Sequence, residues 1–147
     1  MNTLYTKMIE YYSGDPKRIQ HFTKVHSYAR LIGQLEHLSD DTQNILEIAA
    51  LVHDIGIKIS ELKYGNCNGK NQEKEGKAEA EKLLTELGYP QEVIERVSYL
   101  VGHHHSYDQI EGMDYQILVE ADFIVNMYED AESEENCRKV CKRIFKT

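Results

Sequence analysis

The sequence predicts an all-α protein, a single-domain helical bundle, and three observations carry that expectation. Apolar residues recur at steps of three and four over long stretches, only two prolines interrupt them, and no two-residue alternation persists beyond a few positions. At 147 residues the chain is long enough to bury a core without disulfides or a structural metal, so one domain over residues 1–147 is expected.

The elements follow in order. A first short helix is expected over about residues 3–12, stopping at Ser13-Gly14. Asp15-Pro16 then reads as an N-cap with proline at the first helical position. In the helix it starts, Ile19, Phe22, His26, Ala29 and Gly33 form one core-facing stripe. His26 stands in the middle of that stripe, either as a core histidine bonded to a carbonyl or as a ligand. His21 and His37 fall off it and read as solvated or local.

Ser39-Asp40 caps the next helix, expected from about residue 41 to Lys58. Its segment Ile48-Ala49-Ala50-Leu51-Val52 is apolar on every side, which marks an element enclosed by neighbours. The helix therefore carries His53 and Asp54 into the interior. An unpaired buried carboxylate is costly unless a positive partner stands beside it. A metal ion suits both groups at once, because a mixed His/Asp set matches borderline first-row metals. Lys58, four residues after Asp54, shares its face and is a candidate for holding a phosphate oxygen or for the helix C-terminus.

Residues 59–71, with Gly65-Asn66-Cys67-Asn68-Gly69, read as an irregular rim over a pocket. The following helix offers Gly76, Ala80, Leu83, Leu84 and Leu87 to the core and stops at Gly88; projected back one turn, its stripe places Glu73 inward, Gln72 at its edge and Glu75 in water. From about residue 91, Val93, Val97, Leu100 and Val101 make a stripe that continues through His104, with His103 and His105 to either side. After a loop containing Gly112, the helix of residues 114–129 buries Ile117, Leu118, Ala121, Val125 and Tyr128 and embeds a second acid, Asp122. Residues 133–146 make a charged amphipathic helix that covers the bundle.

Composition excludes several classes. Lys plus Arg number 17 against 25 Asp plus Glu, and the net charge of −8 leaves no footprint for a nucleic-acid duplex or an anionic membrane. No apolar run reaches the length of a membrane span and the N-terminus lacks a signal-like pattern, so a cytoplasmic location is the default expectation. Three cysteines make no disulfide framework: Cys137 and Cys141 read as packing residues on one helix face, and Cys67 as a loop thiol.

The order and spacing of His26, His53-Asp54 and Asp122, set in VHSYARLIG, AALVHDIGIK and LVEADFIV, resemble the HD superfamily of metal-dependent phosphohydrolases over roughly residues 18–130. The triple histidine after YLVG and the QEKEG segment are similar to small bacterial HD-domain proteins. The resemblance implies an HD-type bundle in which His26, His53, Asp54 and Asp122 hold a divalent transition metal: iron, manganese, zinc, cobalt or nickel. Two-metal members such as the HD-GYP phosphodiesterases have a further His where this chain has Gln72, and a Lys directly after HDIG where it has Ile57, with Lys58 next. One ion rather than two is therefore expected, with Glu73 and His104 as candidates for a second ion or for substrate.

The implied activity is hydrolysis of a phosphate ester, mono- or diester, in a nucleotide or other small metabolite, by a metal-activated water, with Asp54, Lys58 and His104 as the catalytic candidates. A two-iron HD-fold oxygenase and a metal-stabilised sensor or interaction domain are the alternatives. Self-association is compatible with all three.

Overall fold

The computed structural model describes all 147 residues and contains eight helices and no strand. In order they are α1 (Asn2–Tyr11), α2 (Pro16–Leu35), α3 (Asp40–Val52), α4 (Gly56–Tyr64), α5 (Gly69–Glu86), α6 (Gln91–Val101), α7 (Met113–Glu129) and α8 (Glu134–Ile144). The all-helical expectation holds. Starts follow the capping chemistry of the sequence: the Asp15 carboxylate accepts from the Arg18 N–H at 3.1 Å ahead of Pro16, and the hydroxyls of Ser39 and Ser133 cap α3 and α8 in the same way.

α3 is the central element. Its residues Ile48 to Val52 are each wholly buried, because α1, α2, α6 and α7 enclose it. α2 packs against both α3 and α7, and α5 lies against α4 and α6. One apolar cluster extends from Leu4 to Ile144, so the terminal helices share the core of the rest.

The helix expected to run to Lys58 instead breaks at the residues that matter most. α3 ends at Val52, His53 to Ile55 form a turn, and α4 restarts at Gly56. The turn closes with short-range bonds, Ile55 N–H to the Val52 carbonyl (2.9 Å) and Ile57 N–H to the Asp54 carbonyl (3.0 Å). Two side chains of the first helical hairpin fix it: the Tyr12 hydroxyl donates to the Asp54 carbonyl at 2.6 Å and that of Tyr11 to the Ile55 carbonyl at 3.1 Å. Those carbonyls, pinned from outside, orient Asp54 with a precision a free helix end lacks.

Gly56 explains the next step. A Cβ there would stand 2.6 Å from the backbone nitrogen of Gly76, so only two glycines allow α4 and α5 to touch backbone to backbone. This contact draws the start of α5 toward the turn. The irregular rim expected over residues 59–71 shrinks accordingly to Gly65–Asn68, since α4 runs on to Tyr64, Gly65 takes the left-handed conformation (φ 68°), and Asn68 caps α5.

Two smaller expectations are corrected. Glu75 is covered, taking bonds from Lys63 Nζ (2.6 Å) and the Tyr64 hydroxyl (2.7 Å), both from the α4 extension. Tyr128 is 81% exposed, because the last turn of α7 turns Glu129 and not Tyr128 toward α2.

Candidate metal centre

The turn after α3 brings His53 and Asp54 to the inner end of a cleft of about 280 Å³ between the start of α2, the start of α5 and the end of α7. Asp122 enters from α7. The fourth group comes from α2, and it is His21. Its Nε2 lies 3.2 Å from Asp122 Oδ1, 3.3 Å from His53 Nε2 and 3.4 Å from Asp54 Oδ2, while His53 Nε2 is 3.4 Å from Asp54 Oδ2 and 3.6 Å from Asp122 Oδ1. Four donor atoms from three elements thus surround one point.

The protonation pattern shows what they face. His53 Nδ1–H donates to the Ala50 carbonyl at 2.9 Å, and His21 Nδ1–H to Glu129 Oε2 at 2.9 Å. With the outer nitrogen committed to an acceptor, a neutral ring presents the Nε2 lone pair inward. Two lone pairs and two carboxylates then look at each other with no donor among them. Only positive charge resolves that arrangement, and an outer hydrogen bond that fixes the imidazole is the usual companion of metal ligation.

The electrostatics agree. Burial favours neutral His53, but Asp54 and Asp122 outweigh it and raise its pKa well above the ordinary histidine value. Burial also opposes ionisation of Asp54 and Asp122, yet His53 chiefly for the former, and His21 and His53 for the latter, hold both carboxyls far below the carboxylate range. For His21 burial is again the largest influence, and Asp122 with Asp54 overcomes it to raise the pKa. A field that retains protons so strongly is one in which a divalent cation replaces them.

A second set of donors shares Asp54. His104, 1% exposed, donates from Nδ1 to the Val101 carbonyl at 2.8 Å; its Nε2 has no hydrogen-bond partner and lies 3.6 Å from Asp54 Oδ1. His105 completes the set. Burial, aided by neighbouring His104, pushes the His105 pKa down to about 4, so this ring is neutral at pH 7. An unpartnered nitrogen buried beside a carboxylate is the second place where the donors of this chain fit a cation.

The sequence expectations divide as follows. His53, Asp54 and Asp122 come together, and His104 joins them on Asp54. His26 does not: its Nε2 lies 3.3 Å from Glu47 Oε2 and its ring meets the Tyr5 ring edge-on at 5.7 Å, among core residues. His21 stands about 140° round the helix from it, at the rim of the stripe, where α2 faces α7 and the cleft.

Lys58, expected in catalysis, instead donates to the Tyr11 carbonyl at 3.0 Å with its ammonium 5.0 Å from the Tyr11 ring centre. Its displacement follows from the helix break, which cancels the shared face with Asp54. Glu73 accepts from the His105 N–H (3.0 Å) and the Ser106 hydroxyl (3.1 Å), so it braces the histidine turn and stands outside both donor sets. Gln72 Oε1 accepts from His105 Nε2 at 2.9 Å and reaches the cleft wall. Among the donor residues, His21 and His105 are the two that the sequence did not single out.

The comparisons with known proteins bear on this geometry. The family model described as HD domain matches residues 18–146. No curated protein matches the sequence. The fold is similar to the crystal structure of a predicted HD superfamily hydrolase from an uncultured Thermotogales bacterium, at a TM-score of 0.66 and 22% identity, covering 98% of this chain and 84% of that one. With a family match over residues 18–146, most of its length, this chain belongs to the HD domain family.

Proposed function

We propose that this protein is a metal-dependent phosphohydrolase that cleaves a phosphate ester of a nucleotide or other small metabolite, with His21, His53, Asp54 and Asp122 as its primary metal ligands. One observation carries the reading: four inward-facing acceptors from α2, the α3–α4 turn and α7 meet at the end of an open cleft. A divalent transition metal held there supplies Lewis acidity toward a phosphoryl oxygen and acidifies a water near neutral pH.

The chain's own residues do the rest. Glu129 and the Ala50 carbonyl keep His21 and His53 in the tautomer that binds. Asp54, 19% exposed at the cleft end, offers one oxygen to each donor set, so we read Asp54, His104 and His105 as a second, weaker ion position. Occupancy of that position is a matter of metal content, on which one ion and two differ directly.

Lys17 takes the role that Lys58 cannot fill. It lines the same cleft one helical turn before His21 and forms no ion pair, whereas Arg18 beside it is engaged by Asp15 at 3.1 Å and Glu61 at 2.6 Å. An unpaired ammonium at the cleft mouth steadies the phosphate oxygens as charge shifts. Lys17→Ala should raise KM for phosphomonoesters by about tenfold with unchanged metal content; unaltered kinetics would remove Lys17 from the site.

The deciding experiment is anaerobic hydrolysis of a panel of phosphomonoesters, cyclic dinucleotides and dinucleoside polyphosphates by manganese-, iron-, cobalt- or nickel-loaded protein, beside Asp54→Ala, with the products separated by chromatography. Wild-type turnover is expected, and the variant should lose both bound metal and activity. Full turnover by metal-free Asp54→Ala, or silence across the panel, would sink the reading.

A further inference from the structure

Helix α2 buries one side and leaves the opposite side bare. Phe22, Val25, His26, Ala29 and Gly33 are covered by the bundle. Opposite them Lys24, Tyr28, Leu31 and Leu35 recur at steps of four, three and four, the spacing of a seam between two paired helices. Tyr28, Leu31 and Leu35 are all exposed, Leu35 at 67%, and no element of the chain covers them. Tyr128 of α7 widens the patch, its ring centre 5.7 Å from Lys24 Nζ. Apolar side chains aligned on one exposed face mark a contact surface, unlike the single scattered ones of an ordinary monomer. We propose that this face binds the same face of a second copy of the chain, the two α2 helices lying antiparallel across a two-fold axis near Leu31.

Charge carries the choice of occupant. α2 holds Lys17, Arg18, Lys24 and Arg30 and no acid, in a chain whose net charge is −8. Its last turn has no base, and the exposed acids Glu36, Asp40 and Asp41 follow it, adding to the negative end of the helix dipole. An antiparallel copy sets Lys24 of each chain, about 10 Å before Leu31 along the axis, near the acidic segment after Leu35 of the other. A parallel copy would set Lys24 on Lys24 and acids on acids. Lys24 is held by Glu129 at 2.6 Å yet keeps 35% of its side chain exposed. Nothing beside the seam opposes approach, since Gln20, Ser27 and Gln34 on its flank are exposed and uncharged. An anionic membrane would meet a chain of net charge −8 with three acids at one end of the patch, which favours the second copy. The seam is only about 16 Å long, so the dimer should form in the micromolar range.

Analytical ultracentrifugation of the whole chain over about 1–300 μM at low salt tests this. Wild type should pass from the 17.1 kDa monomer to twice that mass as concentration rises. Leu31→Glu, at an exposed position, brings two carboxylates together across the axis and should weaken the dimer by about thirtyfold or more, with the Tm of the monomer unchanged. Leu35→Ala, a milder change on the same seam, should weaken it by about fivefold. Raising salt from about 0.05 to 0.5 M should loosen the wild-type dimer severalfold, because opposite charges meet in it. A monomer at every concentration, or a dimer that Leu31→Glu leaves intact, overturns the proposal. Association that tightens with salt overturns the antiparallel arrangement, since like charges would then be in contact. Capture of a wild type that stays monomeric by phosphatidylglycerol vesicles would give the face to a membrane instead of a second copy.

Discussion

Among the acids that α7 buries, Glu120 and Asp122 stand two positions apart in sequence, and their surroundings differ. Glu120 is wholly buried and satisfied by donors of the protein itself: Gln116 Nε2 at 2.7 Å, the N–H groups of Lys146 and Thr147 at 2.7 and 3.2 Å, and the Thr147 hydroxyl. Asp122 instead faces Asp54, with the inward nitrogens of His21 and His53 between them. The first acid is a knot that ties the segment after α8 to the bundle. The second belongs to a set of acceptors that only added positive charge completes. Burial of an acid therefore says little until its neighbours have been sorted into donors and acceptors.

Breaking the contrast on the metal side should have the largest effect. His21→Ala is expected to lose bound metal and turnover together, while His26→Ala, five positions away, should keep both and lose only about 1–2 kcal/mol of stability from its contact with Tyr5 and Glu47. Metal analysis of the two variants measures this, and metal loss confined to His26→Ala would restore the ligand set expected from sequence. On the structural side the effect is intermediate. Glu120→Ala removes the acceptor of all four donors and should cost about 2 kcal/mol, roughly 6 °C in Tm, with metal content unchanged. A variant that kept its Tm but lost metal would reverse the two assignments.

The smallest effect sharpens the comparison through pH. His21 and His53 have raised pKa values in the metal-free fold, so their contribution to stability is complete below the ordinary value of 6.5 and is lost as pH rises through the raised values. Asp54 and Asp122 have lowered values, and their contribution is lost only as pH falls below the ordinary 3.8 toward those values. Chelator-treated protein should therefore lose Tm as pH rises above 6.5. Metal binding displaces the same protons, so metal affinity should rise over that range and the loaded protein should show the opposite trend. A metal-free Tm that climbed with pH would mean that these histidines are neutral in the fold.

Much of the site was legible because its marks are local. Five consecutive apolar residues before His53, and an acid inside LVEADFIV, place charge in an interior wherever those helices pack. His104 was found on the line of a core stripe for the same reason. His21 and His105 were not, because both lie where a buried face meets the cleft, and that edge is set by which partner helix covers which flank. Lys58 was misplaced by one helix break, at a turn whose Asp54 carbonyl is bonded by Tyr12, 42 residues away.

Taken alone, the amino-acid order determined an all-helical chain, its caps, its core stripes and the burial of His53, Asp54 and Asp122, since each depends on periodicity and on the cost of hiding polar groups along one helix. The packing decided that His21 rather than His26 meets them, that Asp54 spans two donor sets, and that Lys58 turns away toward Tyr11. Those outcomes depend on distances between helices that no single helix specifies. A ligand set is a property of the point where α2, the α3–α4 turn and α7 converge.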